Sequence, residues 1–210
     1  MNLKESQCVQ YGCGWSAPDG WLNFDSSPTL YFERIPLIGR FYTKNKLRFP
    51  KNVQYGDIVK GLPLQNGSCQ AVYCSHVLEH LTLQEFRQAL FHTYEMLQDG
   101  GWFRLVLPDL EFYAKKYLND SSTESSLLFM TETGLGQTNR GRNLAGFLVQ
   151  WLGNSQHRWM WDFNSMQREL EDVGFVEIRR AEFGDSRLAK FEDVEEKDRW
   201  ENCLGVECRK

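Results

Sequence analysis

The sequence lacks several features that would place a protein in a particular class. No stretch approaches the roughly 18 consecutive apolar residues of a membrane span, and the first residues contain no apolar signal core. Binding along a phosphate backbone requires a positively charged surface, whereas this chain has a formal net charge of −4. We therefore expect a soluble, cytoplasmic protein that binds neither membranes nor nucleic acids.

The six cysteines form no C-x-x-C pair, and the chain contains no internal repeat or low-complexity tract. Most of the cysteines stand in apolar, strand-like contexts, where a reduced cysteine packs as a small hydrophobic residue. The composition is 41% hydrophobic and 25% charged over 210 residues, which is typical of a globular domain with a sizeable core.

Short apolar runs alternate with helical patterns along the chain. The clearest helix begins at Thr82, which forms a capping box with Glu85, and it ends near residues 99–101. A second capping arrangement, Asn164 with Gln167, predicts a later helix. Strands are predicted at seven places, which are residues 8–11, 21–25, 53–55, 71–74, 102–107, 175–183 and 203–208.

This order predicts an α/β fold, a Rossmann-like three-layer sandwich around a mostly parallel seven-stranded sheet. The last two strands have no helical crossover between them, so we expect an antiparallel hairpin at one edge. Only ten residues separate Gly14 from Asp25, too few for an ordinary crossover helix, so the first crossover is shortened. Residues 111–161 are expected to form an insertion or lid within a single domain.

The stretch 75–81, Ser-His-Val-Leu-Glu-His-Leu, admits two interpretations. His76, Glu79 and His80 fit the H-x-x-E-H pattern of the inverzincin zinc peptidases. Such a site needs both histidines on one helical face, whereas the best helix start, Thr82, follows the motif. We therefore favour a strand that ends at a ligand pocket and expect no metal. A zinc-dependent hydrolase that uses His76, Glu79 and His80 is the remote alternative.

Six short motifs follow one another in a distinctive order. They are Gly12-Cys13-Gly14, then Gly20 to Asp25, Gly56-Asp57 with Leu62-Pro63-Leu64, Cys74 to Leu81, Leu97 to Gly101, and Leu107-Pro108-Asp109. Together they resemble a class I S-adenosylmethionine-dependent methyltransferase, most of all the small bacterial methyltransferases whose fourth strand ends in S-H-V-L-E-H-L. The resemblance covers roughly residues 8 to 110. It implies S-adenosylmethionine as cofactor, S-adenosylhomocysteine as product and methyl transfer as the reaction.

The resemblance also implies which residues bind the cofactor. Such ligands lie at the carboxyl ends of the strands, where a glycine turn lets backbone N–H groups approach. The residues are Gly12, Cys13 and Gly14 for the carboxylate, Asp25 for the ribose hydroxyls, Asp57 and Ile58 for the adenine, and Ser75 and His76 for the methionine portion.

Three residues are candidates for catalysis. His157, beside Arg158 and two tryptophans, is the best candidate for a general base because histidine titrates near neutrality, although a packing role is equally open. His76 is a second candidate. Asp109, after a strand that ends in Leu-Pro, either faces the acceptor or caps the next helix.

The acceptor is expected to be a small molecule or sugar, because the 111–161 segment is aromatic and the chain is negatively charged. Arg140 and Arg142 either bind an anionic group of the acceptor or keep their loop soluble. The charged run 192–199 is expected to be a solvated connection, and His80 and His92 to be packing or surface residues. The alternative from another class is a non-catalytic module that binds S-adenosylmethionine or a nucleotide.

Overall fold

The computed structural model describes residues 7–35, 48–136 and 156–210. Its seven strands are β1 (Gln7–Tyr11), β2 (Leu22–Asp25), β3 (Val53–Tyr55), β4 (Cys69–Ser75), β5 (Leu97–Pro108), β6 (Val176–Ala181) and β7 (Cys203–Arg209). They form one sheet in the order β3-β2-β1-β4-β5-β7-β6. Strands β1 to β5 pair in parallel, whereas β7 is antiparallel to both β5 and β6. The predicted fold, a mostly parallel seven-stranded sheet with an antiparallel edge hairpin, is confirmed.

The described helices are α1 (Pro28–Glu33), α2 (Leu83–Met96), α3 (Leu110–Asn119), α4 (Ser125–Glu132) and α5 (Phe163–Val173). Helix α2 begins with the predicted capping box of Thr82 and Glu85. The cap of helix α5 is Asp162, two residues before the predicted Asn164, because Asp162 accepts a hydrogen bond from the backbone N–H of Ser165. No helix in the described part of the chain has the length and apolar character of a membrane span.

One face of the sheet is covered by α2 and α5. Strand residues that alternate toward these helices, such as Val9, Val72 and Phe103, join Phe86 of α2 and Leu170 of α5 in the largest core cluster. All five are fully buried. Burial of an aliphatic or aromatic side chain of this size contributes roughly 1.5–3 kcal/mol, so this layer anchors the central strands.

No helix connects β1 to β2, since turns occupy residues 12–21. The shortened first crossover is thus confirmed. The second face of the sheet is covered instead by residues 188–200, which form two short 3-10 turns. Phe191 and Val194 from these turns are buried against Trp21, Ala71 and Tyr73.

The expectation that residues 192–199 form a solvated connection holds only in part, because a charge lies on the sheet beneath them. Five of the eight residues are exposed, whereas Val194 is buried and Glu195 faces the sheet. Arg104 of β5 is fully buried on this face. It pairs with Glu195 of the covering segment and, from Nη1, with Oε2 of Glu207 at 3.1 Å. A buried charge needs partners of opposite sign. The charged segment supplies one of them.

Candidate functional site

The predicted cofactor residues converge on one edge of the sheet. Tyr11, the last residue of β1, pairs with Phe24 of β2 on one side and with Cys74 of β4 on the other. The glycine turn after β1 therefore lies between Asp25 and Ser75. The chain continues to one side of β1 through β2 and β3 and returns to its other side at β4. Ligands of open α/β sheets bind at such a switch point.

The turn after β1 requires its two glycines. Both have positive backbone φ angles, +67° for Gly12 and +55° for Gly14. A Cβ atom on Gly12 would overlap Cγ2 of Val77, whereas the space beside Gly14 is open. The side chain of Cys13 is buried with Leu30, and burial raises the pKa of its thiol to about 12. Only the backbone of Cys13 is therefore available to a ligand.

Asp25 is fixed by two backbone N–H groups. Its Oδ1 atom accepts from Ser27 N at 2.7 Å, and its Oδ2 atom accepts from Gly14 N at 3.0 Å. Each carboxylate oxygen retains further lone-pair capacity. Asp25 therefore links the glycine turn to the end of β2 and can still accept the hydroxyls of a ligand.

The third predicted contact region, after β3, is held by local interactions. The Oδ1 atom of Asp57 accepts from Val59 N at 3.1 Å, and its Oδ2 atom lies 3.2 Å from Nζ of Lys60. Ile58 is 5% exposed and belongs to the core cluster beneath α2. Its side chain packs in the core, which leaves Asp57 as the polar group at this end of the edge.

A small opening lies at the switch point. Its lining includes Gly12 from the turn, Tyr73 and Ser75 from β4, and Glu196 and Arg199 from the segment that covers the second face. The hydroxyl of Tyr73 is buried and makes no hydrogen bond to the described residues. Burial raises the pKa of Tyr73, so the hydroxyl stays protonated and can donate to a ligand.

Arg199 is a residue of this opening that the sequence analysis missed. Its Nε atom donates to Oγ of Ser75 at 2.9 Å, and its Nη2 atom donates to the carbonyl of Ser75 at 2.8 Å. The remaining nitrogen, Nη1, makes no hydrogen bond to the part of the chain that the structure describes. Only the proximity of 196–199 to β4 in space reveals the role, because the sequence shows an ordinary charged run.

His76 follows Ser75 in a left-handed conformation, with φ +55°. Its Nε2 atom contacts the carbonyl of Arg199 at 2.9 Å, and Nδ1 lies 3.4 Å from Oε1 of Glu79. Burial lowers the pKa of His76, but its contacts with Cys203 and Glu79 outweigh burial and raise the pKa to about 10. Both ring nitrogens face acceptor atoms of the protein, so His76 is not placed to take a proton from a ligand.

The other two catalytic candidates also have local partners. Asp109 caps α3, since its Oδ1 atom accepts from Glu111 N at 2.8 Å, and its Oδ2 atom lies 3.3 Å from Nη1 of Arg180. His157 contacts the carbonyl of Thr133 through Nδ1 at 2.7 Å. Burial lowers the pKa of His157. His157 is not among the residues that line the opening.

The expected insertion at 111–161 is described in part. It contains α3 and α4, and Trp161 returns to the sheet through a bridge with Asp109. Arg140 and Arg142 lie outside the described residues. His92, on α2, contacts Gln88, whereas His80 packs against His157 with ring centroids 4.9 Å apart.

Comparisons with known proteins agree on one family of folds. Residues 11–105 match the family described as methyltransferase domain. A possible histamine N-methyltransferase of Thermotoga maritima, S-adenosylmethionine-dependent by its description, is 15% identical, with a TM-score of 0.51 over 100% of this chain and 84% of that one. An S-adenosylmethionine-dependent methyltransferase of Mesorhizobium loti is 17% identical, with a TM-score of 0.50 over 99% and 94%. No curated protein sequence matches the chain.

Proposed function

We propose that the chain is a class I S-adenosylmethionine-dependent methyltransferase, which the family match of residues 11–105 and the fold support. The protein binds S-adenosylmethionine along the carboxyl edge of β1, β2 and β4 and transfers its methyl group to a small-molecule or sugar-type acceptor. The observation that carries the proposal is the opening at the switch point, where the buried hydroxyl of Tyr73 lacks a partner among the described residues and Arg199 keeps one nitrogen free of them.

The side chains at the opening fit the amino-acid end of the cofactor. Arg199 and the hydroxyl of Tyr73 would donate to its carboxylate, and Glu196 would accept from its ammonium group. The opening is small, so only one end of the cofactor would enter it. The nucleoside would then extend toward Asp25, whose carboxylate would accept the ribose hydroxyls.

S-adenosylmethionine, when bound, supplies a methyl group on a positively charged sulfur that is already a good leaving group. The protein's contribution is alignment, since correct positioning of two reactants lowers a barrier by up to several kcal/mol. The proposed acceptor is a small molecule or sugar because the segment 111–161 is aromatic and the chain is negatively charged. His76 holds the exit of β4 in place rather than removing a proton, because both of its ring nitrogens face acceptor atoms.

Isothermal titration calorimetry with S-adenosylmethionine and S-adenosylhomocysteine tests the cofactor site. We expect both to bind the wild-type chain and Tyr73→Phe to bind S-adenosylhomocysteine about 10-fold more weakly, since one hydrogen bond is lost. Tyr31→Phe is the matched control, because Tyr31 is exposed on α1. If neither S-adenosylmethionine nor S-adenosylhomocysteine binds, the proposal is overturned.

Turnover is measured as release of S-adenosylhomocysteine in the presence of sugars, nucleotide sugars and small hydroxylated acceptors, with RNA and DNA as comparison substrates. One observation favours a non-catalytic binding module. The hydroxyl of Ser75 already accepts a hydrogen bond from Arg199, and the catalytic candidates Asp109 and His157 contact other groups of the protein. Binding of the cofactor without release of product from any acceptor would favour that second function.

A further inference from the structure

Three of the four histidines in the chain surround one carboxylate. Glu79 is fully buried, and neither of its side-chain oxygens makes a hydrogen bond to the described residues. Its Oε1 atom lies 3.8 Å from Nε2 of His80, 3.9 Å from Nε2 of His157 and 3.4 Å from Nδ1 of His76. A buried carboxylate in this state is costly unless a cation compensates it.

The hydrogen bonds of His80 and His157 determine which ring nitrogen faces Glu79. The Nδ1 atom of His80 contacts the carbonyl of Gln156 at 3.1 Å, and that of His157 contacts the carbonyl of Thr133 at 2.7 Å. A carbonyl only accepts, so each Nδ1 carries the hydrogen and each neutral ring presents a lone pair at Nε2. Two nitrogen lone pairs and one carboxylate oxygen therefore converge, and they repel one another unless a cation lies between them.

This arrangement is the one that proteins use to orient metal-binding histidines. A ligand histidine donates its other ring N–H to a carbonyl or carboxylate, which fixes both its tautomer and the direction of its lone pair. One potential ligand atom from each of Glu79, His80 and His157 lies within 4.8 Å of the other two. Donor atoms around a tetrahedral zinc ion are about 3.3 Å apart, given bonds of about 2.0–2.1 Å. To bind such an ion, each pair of donor atoms would have to approach by at most about 1.5 Å.

We infer that Glu79, His80 and His157 form a binding site for a divalent transition-metal ion of the zinc class. Two imidazole nitrogens and one carboxylate oxygen are donors that such an ion prefers. Three protein ligands leave a fourth position for water or another small ligand. This set differs from the His76, Glu79 and His80 of the peptidase pattern, because Glu79 is a ligand here and His157 replaces His76.

His76 stays outside the ligand set because its ring is held elsewhere. Its Nε2 atom contacts the carbonyl of Arg199 at 2.9 Å, and its Nδ1 atom, although 3.4 Å from Oε1 of Glu79, does not belong to the group of potential ligand atoms that lie within 4.8 Å of one another. Its positive charge is the alternative source of compensation for Glu79. The experiment must therefore distinguish a bound metal from an ion pair between His76 and Glu79.

The ion would join two distant parts of the chain. Glu79 and His80 follow β4, whereas His157 precedes α5, and the carbonyl of Glu79 already accepts from the backbone N–H groups of Arg158 and Trp159 at 2.7 and 3.2 Å. A metal at this point would hold residues 156–161 against the exit of β4, next to the opening that Ser75 lines.

The test is metal content and affinity of the full-length protein. Purified protein is dialysed against metal-free buffer, its zinc is measured by mass spectrometry, and Co²⁺ is titrated while the visible spectrum is recorded. We expect one equivalent of zinc per chain and a Co²⁺ spectrum of tetrahedral type. Substitution of a residue that only orients a metal ligand lowers metal affinity roughly 10–100-fold. Glu79→Gln and His157→Asn each remove a direct ligand, so each should lower the affinity for metal by at least that factor.

His92→Asn is the matched control, since His92 is the fourth histidine and contacts Gln88 on α2. Cys203→Ser controls for thiol binding, because Cys203 is a partly exposed free cysteine. Both should keep the wild-type zinc content. If the dialysed protein neither retains zinc nor binds added Zn²⁺ or Co²⁺, the His76 ion pair alone compensates Glu79 and the inference is overturned. Equal loss of metal in the control variants would overturn it as well.

A variant that fails to fold is recognised by its circular dichroism. The thermal shift on adding Zn²⁺ provides a second measurement for the milder His80→Asn variant. We expect zinc to raise the Tm of the wild-type chain but not that of His80→Asn, because a ligand stabilises only a native state that binds it. An equal rise in both proteins would contradict the site.

Discussion

The side chain of Arg199 donates from Nε to the hydroxyl of Ser75 over 2.9 Å, although 124 residues separate the two in sequence. This contact brings a guanidinium group from the segment before β7 to the exit of β4. Arg199 therefore places a positive charge at the switch point of the sheet, although it belongs to none of the motifs at the strand ends.

Replacement of Arg199 by methionine should weaken the binding of S-adenosylhomocysteine. A hydrogen bond to a charged group contributes about 1.5–3 kcal/mol, which corresponds to roughly 10–100-fold in affinity. Isothermal titration calorimetry provides the measurement. Arg168→Met is the control, since Arg168 pairs with Asp172 on the exposed side of α5. Equal affinities for Arg199→Met and wild type would remove Arg199 from the site.

Asp25→Asn should weaken the binding of the nucleoside end of the cofactor. The amide of asparagine places N–H groups against Ser27 N or Gly14 N, where the carboxylate now accepts from both. We expect affinity for adenosine and for S-adenosylhomocysteine to fall together by about 10-fold or more. Arg199→Met, in contrast, should leave adenosine binding unchanged, because adenosine lacks the amino-acid end. Asp19→Asn, in an exposed turn, is the control for the substitution.

Arg104→Met should destabilise the fold strongly. The substitution leaves the carboxylates of Glu195 and Glu207 buried with one positive partner fewer. Removal of one member of a buried ion pair costs about 3–5 kcal/mol. Arg87→Met, which breaks an exposed pair with Glu169, should cost less than about 1 kcal/mol. Urea unfolding monitored by circular dichroism compares the two, and similar midpoints would contradict the network.

The cap of α5 should give stability that depends on pH. The backbone N–H of Ser165, followed by its hydroxyl, lowers the pKa of Asp162 below its ordinary value. Because the folded-state pKa is the lower one, the charged cap contributes stability above the unfolded pKa of about 3.9 and loses that contribution as the pH falls through the folded pKa. Asp162→Ala should therefore cost about 0.5–2 kcal/mol at neutral pH and less in strong acid.

Urea unfolding of the wild type and of Asp162→Ala at neutral and acidic pH measures that difference. Asp19→Ala, which removes an exposed aspartate, should show no such change with pH. A cost for Asp162→Ala that is the same at both pH values would show that the charge of the cap is irrelevant.

Much of the fold was predictable because its signals are local. The capping box at Thr82, the apolar strand at 71–74 and the short spacing from Gly14 to Asp25 each depend on residues close together in sequence. They led to the mostly parallel sheet with its antiparallel edge, to the shortened crossover and to the resemblance to class I methyltransferases, and residues 11–105 match the methyltransferase-domain family. The placement of Asp25 and Ser75 at one edge follows from parallel pairing alone.

The missed features depend on partners that lie far apart in sequence. The run 192–199 resembles a solvent-exposed connection until Arg104, about 90 residues earlier, is found buried beneath it. The approach of His157 to Glu79 is equally invisible in the sequence. Composition records the charge of a side chain, but only the tertiary structure determines whether its partner is water, a carboxylate or a carbonyl.

The cover of the second face of the sheet has a consequence for how the chain folds as it is synthesised. Trp21, which precedes β2, and Tyr73 of β4 are synthesised early. Phe191 and Val194, which shield them, emerge from the ribosome more than 110 residues after Tyr73. Contacts of such long range form late and slow folding. The nascent sheet therefore exposes one apolar face through most of translation, and the slow step in folding should be the docking of residues 188–200 rather than the pairing of the central strands.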